Sequence, residues 1–441
     1  MFGRIVAVTA IVVFSVCVNA TELSDAVKSD YDDYLWPLFD HFHRNPELSL
    51  IENDTAARMA EELRDAGFDV TEGVGGTGVV AMMKNGDGPF VMMRADMDGL
   101  PVEEKSGLEN ASRKQQIDPI TGNKVFAMHA CGHDVHITSL VGTARQMAAR
   151  KDQWSGTLML LVQPAEERVL GAKAMREDDI WTRFGKPDYA LAFHVNSLDV
   201  AGKVNISEGS PFAGADTVDI IIHGVGAHGA HPYAGKDPIV LGSQIVLALQ
   251  TLVARELSPR APGVVTVGSF HSGTKHNIIS DRAHLQLTVR STSPETRDIL
   301  LNGITRIAVN MGRVAGLPED KLPEVIISEE SVPPTVNDPD LARQLKQAWA
   351  TSLGEEMVIY QPTKGMGAED FPFFTVDPDI TSVYWQVGGT PQEDFDRAAT
   401  GGEPVPSHHS PLFKITPEPA VRAGVESTVV ALMELMGTEG P

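Results

Sequence analysis

Residues 125–167 read VFAMHACGHDVHITSLVGTARQMAARKDQWSGTLMLLVQPAEE. Two elements are legible in this stretch. His133 to Lys151 has the apolar spacing of a helix, and GTLMLLVQPA is a short apolar run bounded by glycine and proline. A run of that kind, lacking alternation, reads as a buried strand. Chemistry-bearing side chains bracket both elements. Cys131 and His133 stand where the helix starts, and Glu166 and Glu167 follow the strand.

The same alternation extends outward. SDYDDYLWPLFDHFHRNP and ENDTAARMAEELRDAGF carry apolar residues at helical spacing, the second stopping at Gly67. PFVMMRADM and DYALAFHV are two further buried-strand runs. From Thr21 to about Asn205 this order predicts an α/β domain with helices on both faces of a largely parallel sheet. Binding crevices form at the carboxyl ends of such strands, where Asp96, Asp98, Glu166, Glu167 and His194 all stand. GVGGTGVV, from Gly73, has the glycines of a nucleotide loop. A strand follows it rather than a helix, which predicts a tight turn.

The rhythm changes between Phe212 and Ser331. DTVDIIIHGV, DPIVLGSQIVLALQTLVARE, GVVTVGSFHSG, AHLQLTVRS, PETRDILLNGITRIAVNMGRVAG and PEVIISEES read as βαββαβ, a compact ferredoxin-like domain. PDLARQLKQAWATSL, TSVYWQVGG and the closing TPEPAVRAGVESTVVALMELM then return to the first character. The expectation is one domain built from residues 21–211 and 332–441, with residues 212–331 inserted into it.

A chain of 441 residues is long for a single core, and 42% apolar with 22% charged residues is the composition of a folded soluble protein. A formal charge of −23 argues against nucleic acid or an anionic membrane as partner. MFGRIVAVTAIVVFSVCVNA has one early arginine, an apolar run too short for a membrane span, and small residues at its end. It reads as a signal peptide, residues 1–20, cleaved near Ala20, so the expected location is the periplasm or the exterior. Loss of Cys17 with the leader leaves Cys131 alone, without an internal disulfide partner.

Three readings of Cys131 stay open on the residues: a small buried hydrophobe, a nucleophile, or a metal thiolate. A thiolate and an imidazole at a helix start suit a divalent metal of borderline softness. In Glu166-Glu167, one carboxylate can ligate while its neighbour handles protons from bound water, though adjacent glutamates also occur as surface charge. His194 closes an apolar run as either ligand or core residue. His408 and His409 lie in the proline-rich PSHHSPLF, as ligands or as surface.

The chain resembles the M20 metallopeptidase/amidohydrolase superfamily. More narrowly it is similar to the branch of hippurate hydrolases, N-acyl-amino-acid amidohydrolases and indole-3-acetyl-amino-acid hydrolases. HRNPELS, MRADMDGLPVEE, MHACGHDVH, QPAEE with GAKAM, FHV, GAHGAHP, DPIV, ALQTLVARE, NIISD, TVR, GAEDF and HHSP occur in that family's order over almost the whole mature length. The resemblance implies a metal-dependent amidohydrolase that cleaves N-acyl amino acids, with an α/β catalytic domain and an inserted lid and dimerisation domain. It implies two divalent ions per subunit, manganese or zinc, with nickel or cobalt as alternatives. Cys131 would bridge both ions, joined by His133, Glu167, His194 and His409.

Glu166 matches the general base, and Asp98 the aspartate that supports a ligand. Asp96 stands where the wider superfamily often has a metal histidine and is not counted as a ligand, and His136 is expected to support the helix. His228 resembles the histidine that reaches a neighbouring subunit's oxyanion, which implies a homodimer. Asn277 and Arg290 resemble residues that bind the substrate's carboxylate. The chain departs from the pattern at His231 and Tyr233, beside Pro232, and at Ser280, where proline is usual; substrate preference is therefore not carried over. The rival readings are an exported dipeptidase or carboxypeptidase with the same metals, a hydrolase using Cys131 as nucleophile, and a non-catalytic metal-binding protein.

Overall fold

The computed structural model describes residues 20–360 and 365–438; the expected leader, up to residue 19 and including Cys17, falls outside them. Four parallel strands form the centre of an eight-stranded sheet: Gly156–Gln163, Phe90–Asp96, Tyr189–Val200 and Thr381–Thr390, in that order. The edges are antiparallel. Gly78–Asn85 and Asp69–Val74 extend one side, and Val204–Asn205 joins Thr381–Thr390 on the other, with Val358–Ile359 parallel to it.

The unbroken apolar runs are explained by burial on both faces. Leu158 and Leu160 pack in one core, with helices Asn53–Asp65, His133–Ala149 and Pro417–Met436, while Met159 and Leu161 pack in another, with Gly171–Glu177 and Pro372–Thr375. Helix His133–Ala149 is itself buried on nearly every side, between the sheet and Pro417–Met436. The glycine-rich GVGGTGVV is the tight turn of an antiparallel hairpin. Gly75 has φ of 64°, and a Cβ there would lie 2.4 Å from the Met175 amide nitrogen.

One boundary differs from the sequence reading. His194 does not close its strand, which runs on to Val200. Parallel pairing with Thr381–Thr390 continues through His194↔Gln386 and Asn196↔Gly388 to Val200↔Thr390 after an irregularity. Pairing with a neighbour that no local signal reports carries the strand past its apolar residues.

The inserted βαββαβ unit contributes an antiparallel sheet in the order Gly263–Ser272, Arg282–Ser291, Gly214–His223, Glu324–Ile327. Helices Pro238–Thr251 and Pro294–Val314 pack on the face formed by Val218, Ile220, Leu285, Leu287 and Val289. Period-two alternation turns Thr217, Thr288 and Arg290 to the opposite face, and these three line a cleft shared with the large sheet's strand ends.

A buried ion network lies beneath those ends. Arg94 Nη1 meets Asp96 Oδ2 at 2.6 Å, and its Nη2 meets Glu369 Oε1 at 2.7 Å and Asp370 Oδ1 at 3.3 Å. Its Nε donates to Gln163 at 2.7 Å, and the Tyr384 hydroxyl donates to Glu369 at 2.8 Å. Three strands and the 369–370 loop are thereby fixed to one guanidinium. Arg94→Leu would leave three buried acids without their cation. The expected loss is about 3–5 kcal/mol of unfolding free energy, measured by urea denaturation; an unchanged midpoint would show that the network does not hold these elements.

Candidate metal centre

Each ligand candidate is aimed by a backbone feature. Cys131 and His133 flank Gly132, which has φ of 84°; a Cβ there would lie 2.3 Å from Val195 Cγ1. Only glycine fits so tight an entry to the helix. Glu166 and Glu167 occupy a 3₁₀ turn, Glu166–Arg168, between Ala165 at φ 47° and Val169 at φ 58°. Left-handed backbone is unfavourable for a β-branched residue and persists only where the surroundings enforce it. Here they do. Asp98 accepts the amides of Glu166 and Glu167, each at 3.1 Å, and Glu52 accepts that of Ala165 at 2.8 Å. His409, at φ 65°, donates its amide to the Ala130 carbonyl at 2.8 Å, tying its loop to the Cys131 turn.

Among the described residues, two of the groups of potential ligand atoms gathered here share one member, Cys131. Cys131, His133 and His194 form one, and Cys131, Glu167 and His409 the other; within each, all atoms lie within 4.8 Å of one another. Cys131 Sγ is 3.4 Å from His194 Nε2, and His409 Nε2 is 3.3 Å from Glu167 Oε2. Ligands about 2.0–2.3 Å from a tetrahedral ion stand roughly 3.3–3.8 Å apart, so the spacing suits a metal.

Hydrogen bonding settles which nitrogens are available. His133 Nδ1 lies 2.8 Å from the Asp98 carbonyl and His194 Nδ1 lies 2.6 Å from the Val195 carbonyl. A carbonyl only accepts, so both rings carry a proton on Nδ1, and Nε2 is the nitrogen each could offer to a metal. His133 Nε2 and Glu167 Oε1 are buried without a hydrogen-bond partner among the described residues. Orphaned polar atoms of this kind are costly, and both belong to the ligand groups. The donor set fits divalent metal.

The electrostatics agree. Burial, then the charges of Glu167, Glu166 and Asp96, holds the Cys131 thiol well above its usual range. Burial and the neighbouring acids Glu369 and Glu167 push Glu166 well up, and burial with Asp98 and Asp96 lifts Glu167 to about 8 against the pull of His133. For His133, burial is outweighed by Asp96, Asp98 and Glu167, which raise it to about 10. So much negative potential in one buried place calls for cations, which invert the local acidity.

The profile of Peptidase family M20/M25/M40 matches residues 92–403. The chain belongs to this family. It is 35% identical over 334 residues to a hippurate hydrolase from Campylobacter jejuni, covering 75% of this chain and 82% of that one. It is 35% identical over 360 residues to thermostable carboxypeptidase 2 from Saccharolobus solfataricus, covering 80% and 86%. The Bacillus subtilis YXEP protein, a dinuclear metal binding peptidase from the M20 family, superposes with a TM-score of 0.73 at 26% identity, covering 93% of this chain and 99% of that one. This M20 chain is a metal-dependent amidohydrolase.

The remaining candidate residues separate by place. Asp98, besides holding the glutamate turn, accepts from the Ser49 hydroxyl at 2.6 Å and lies 3.3 Å from His133 Nδ1. Asp96 is committed to Arg94 and to His136 Nδ1, at 2.5 Å, while His136 Nε2 accepts the Val195 amide at 2.8 Å. Arg290 lines the cleft. His228 and Asn277 do not. Both are exposed on a two-stranded ribbon of the inserted unit, where the Gly229 amide donates to the Asn277 carbonyl at 2.8 Å. His408 is half-buried against Cys131 rather than at the surface.

Sequence reasoning gave no role to Arg94, Glu52, Glu369 or Asp370. Adjacent acids inside the otherwise apolar GAEDFPFF were the available signal. Because both ligand groups share one sulfur, Cys131→Ala is expected to lose most bound divalent metal while keeping its far-ultraviolet circular dichroism. Elemental analysis after gel filtration checks this; full metal content in that variant would dismantle the assignment.

Proposed function

We propose that this M20 chain hydrolyses the amide bond of N-acyl amino acids, releasing a carboxylic acid and a free amino acid. The observation that carries the reading is the pair of ligand groups sharing Cys131, opening on a cleft of about 940 Å³ with an apolar wall and a guanidinium. Two divalent ions held by Cys131, His133, Glu167, His194 and His409, manganese or zinc with nickel or cobalt as alternatives, would supply the positive charge that polarises an amide carbonyl and acidifies water. Glu166, buried beside these ligands with Oε2 4.0 Å from His133 Nε2, takes the proton of the attacking water and returns it to the departing amine.

Arg290 is half-buried and has no ion pair among the described residues; the neighbouring Asp216 is held by Arg297 at 2.7 Å. Its guanidinium suits the carboxylate of the leaving amino acid. Ile120, Leu198, Phe212 and Phe395 line the same cleft and suit an apolar or aromatic acyl group. Ile120 is 57% exposed at a hairpin tip, held there by Asp118, which accepts its amide at 3.0 Å. A second reading, hydrolysis of dipeptides, is favoured by Glu330, an acid in the cleft that a free amine could meet.

His228 would donate to the developing oxyanion of a second copy's substrate, with Asn277 beside it. The outward face of helix Pro238–Thr251 supports a homodimer: Val240 and Leu247 are 55% and 72% exposed. We also assign the chain to the periplasm or exterior after cleavage near Ala20, on its apolar N-terminal run.

A panel of N-benzoyl and N-acetyl amino acids set against matching dipeptides tests the substrate class, and cleavage of dipeptides alone would replace it by the second reading. Glu166→Gln should lower kcat by about 10²–10⁴-fold with metal retained. Arg290→Met should raise KM roughly 10–100-fold for these substrates and leave simple amides without a carboxylate unaffected. Sedimentation should give a dimer that Leu247→Glu dissociates with loss of turnover, and the exported protein's mass should begin near Thr21. An active monomer, or a retained leader, removes the corresponding assignment.

A further inference from the structure

We infer that His408 is a positioning residue for the metal centre, donating an N–H hydrogen bond to the sulfur of Cys131. The amide of Ser197 donates to His408 Nε2 at 3.2 Å. A backbone amide only donates, so Nε2 holds the lone pair and the ring proton is on Nδ1. That Nδ1 lies 3.6 Å from Cys131 Sγ. The ring is clamped between Phe413, at 4.9 Å between centroids, and the edge of His194, at 5.3 Å. His408 is in neither ligand group.

The doublet in PSHHSPLF thus divides the work: His409 presents its Nε2 to Glu167 and Cys131, and His408 directs a proton at the sulfur. A sulfur shared by two cations keeps a lone pair exposed to other partners. An N–H aimed at it fixes the sulfur's orientation and draws charge from it, as partners behind metal ligands generally do. This rests on the metal reading of Cys131.

The test loads wild type, His408→Phe and His408→Gln with Co²⁺. It reads the sulfur-to-cobalt charge-transfer absorption and the cobalt affinity by chelator competition, with circular dichroism to confirm folding. The Phe variant should shift the band to longer wavelength and weaken cobalt binding by about 10–100-fold. The Gln variant, whose amide can still donate, should recover much of both. A Phe variant identical to wild type, or a Gln variant no better than Phe, overturns the inference. Should the Phe variant not fold, ¹⁵N resonances of the wild-type ring decide: a proton on Nε2 overturns it, and a proton on Nδ1 supports it. Wild type that binds cobalt without a sulfur band overturns the ligand reading of Cys131, and this inference with it.

Discussion

Negative potential gathered in a dry place governs this molecule. Cys131, Glu166 and Glu167 stand above Asp96, Glu369 and Asp370, with Arg94 the one guanidinium inside that group among the described residues. Buried acids repel one another and lose hydration, so such a cluster persists only with compensating cations. Arg94 compensates the lower layer. The upper layer, with its unpartnered imidazole nitrogen and carboxylate oxygen, is left for divalent metal.

The fold supplies the rigidity this needs. Four parallel strands end at one rim, and the turns leaving them are fixed by carboxylates that accept backbone amides: Asp98, Glu52 and Asp370. Acids thus act twice, as ligands and as clamps on the ligands' own backbone. On the far side of the helix start, His43 bridges Asp134 at 2.7 Å and Glu104 at 3.4 Å. Burial opposes its charge, but those two acids lift it to about 10. Its contribution to stability is therefore whole below about pH 6.5 and is lost progressively as pH rises from there to about 10.

Other walls of the cleft come from elements remote from Cys131 and His133 in sequence. The inserted sheet brings Arg290 over the cleft because strand alternation puts it opposite the core residue Val289. The hairpin after Glu104 brings Ile120, and its Asp118 lies 3.5 Å from Arg168, next in sequence to Glu166 and Glu167.

Local order was legible in the residues alone. Unbroken apolar runs gave the buried strands, helical spacing gave the elements between them, and the change to βαββαβ marked the start of a separate four-stranded sheet. These properties depend on neighbours a few positions away. Cys131, Glu167, His194 and His409 could be suspected singly, yet nothing local distinguishes a ligand from a core histidine or a surface acid. Tertiary structure brings them together, carrying four segments to one rim and occupying the Nδ1 protons of His133 and His194 on carbonyls. It also separates His408 and His409, which are adjacent in sequence but meet different atoms. Side-chain function here is set by what lies within about 4 Å across the fold, and that distance is not written in the order of residues.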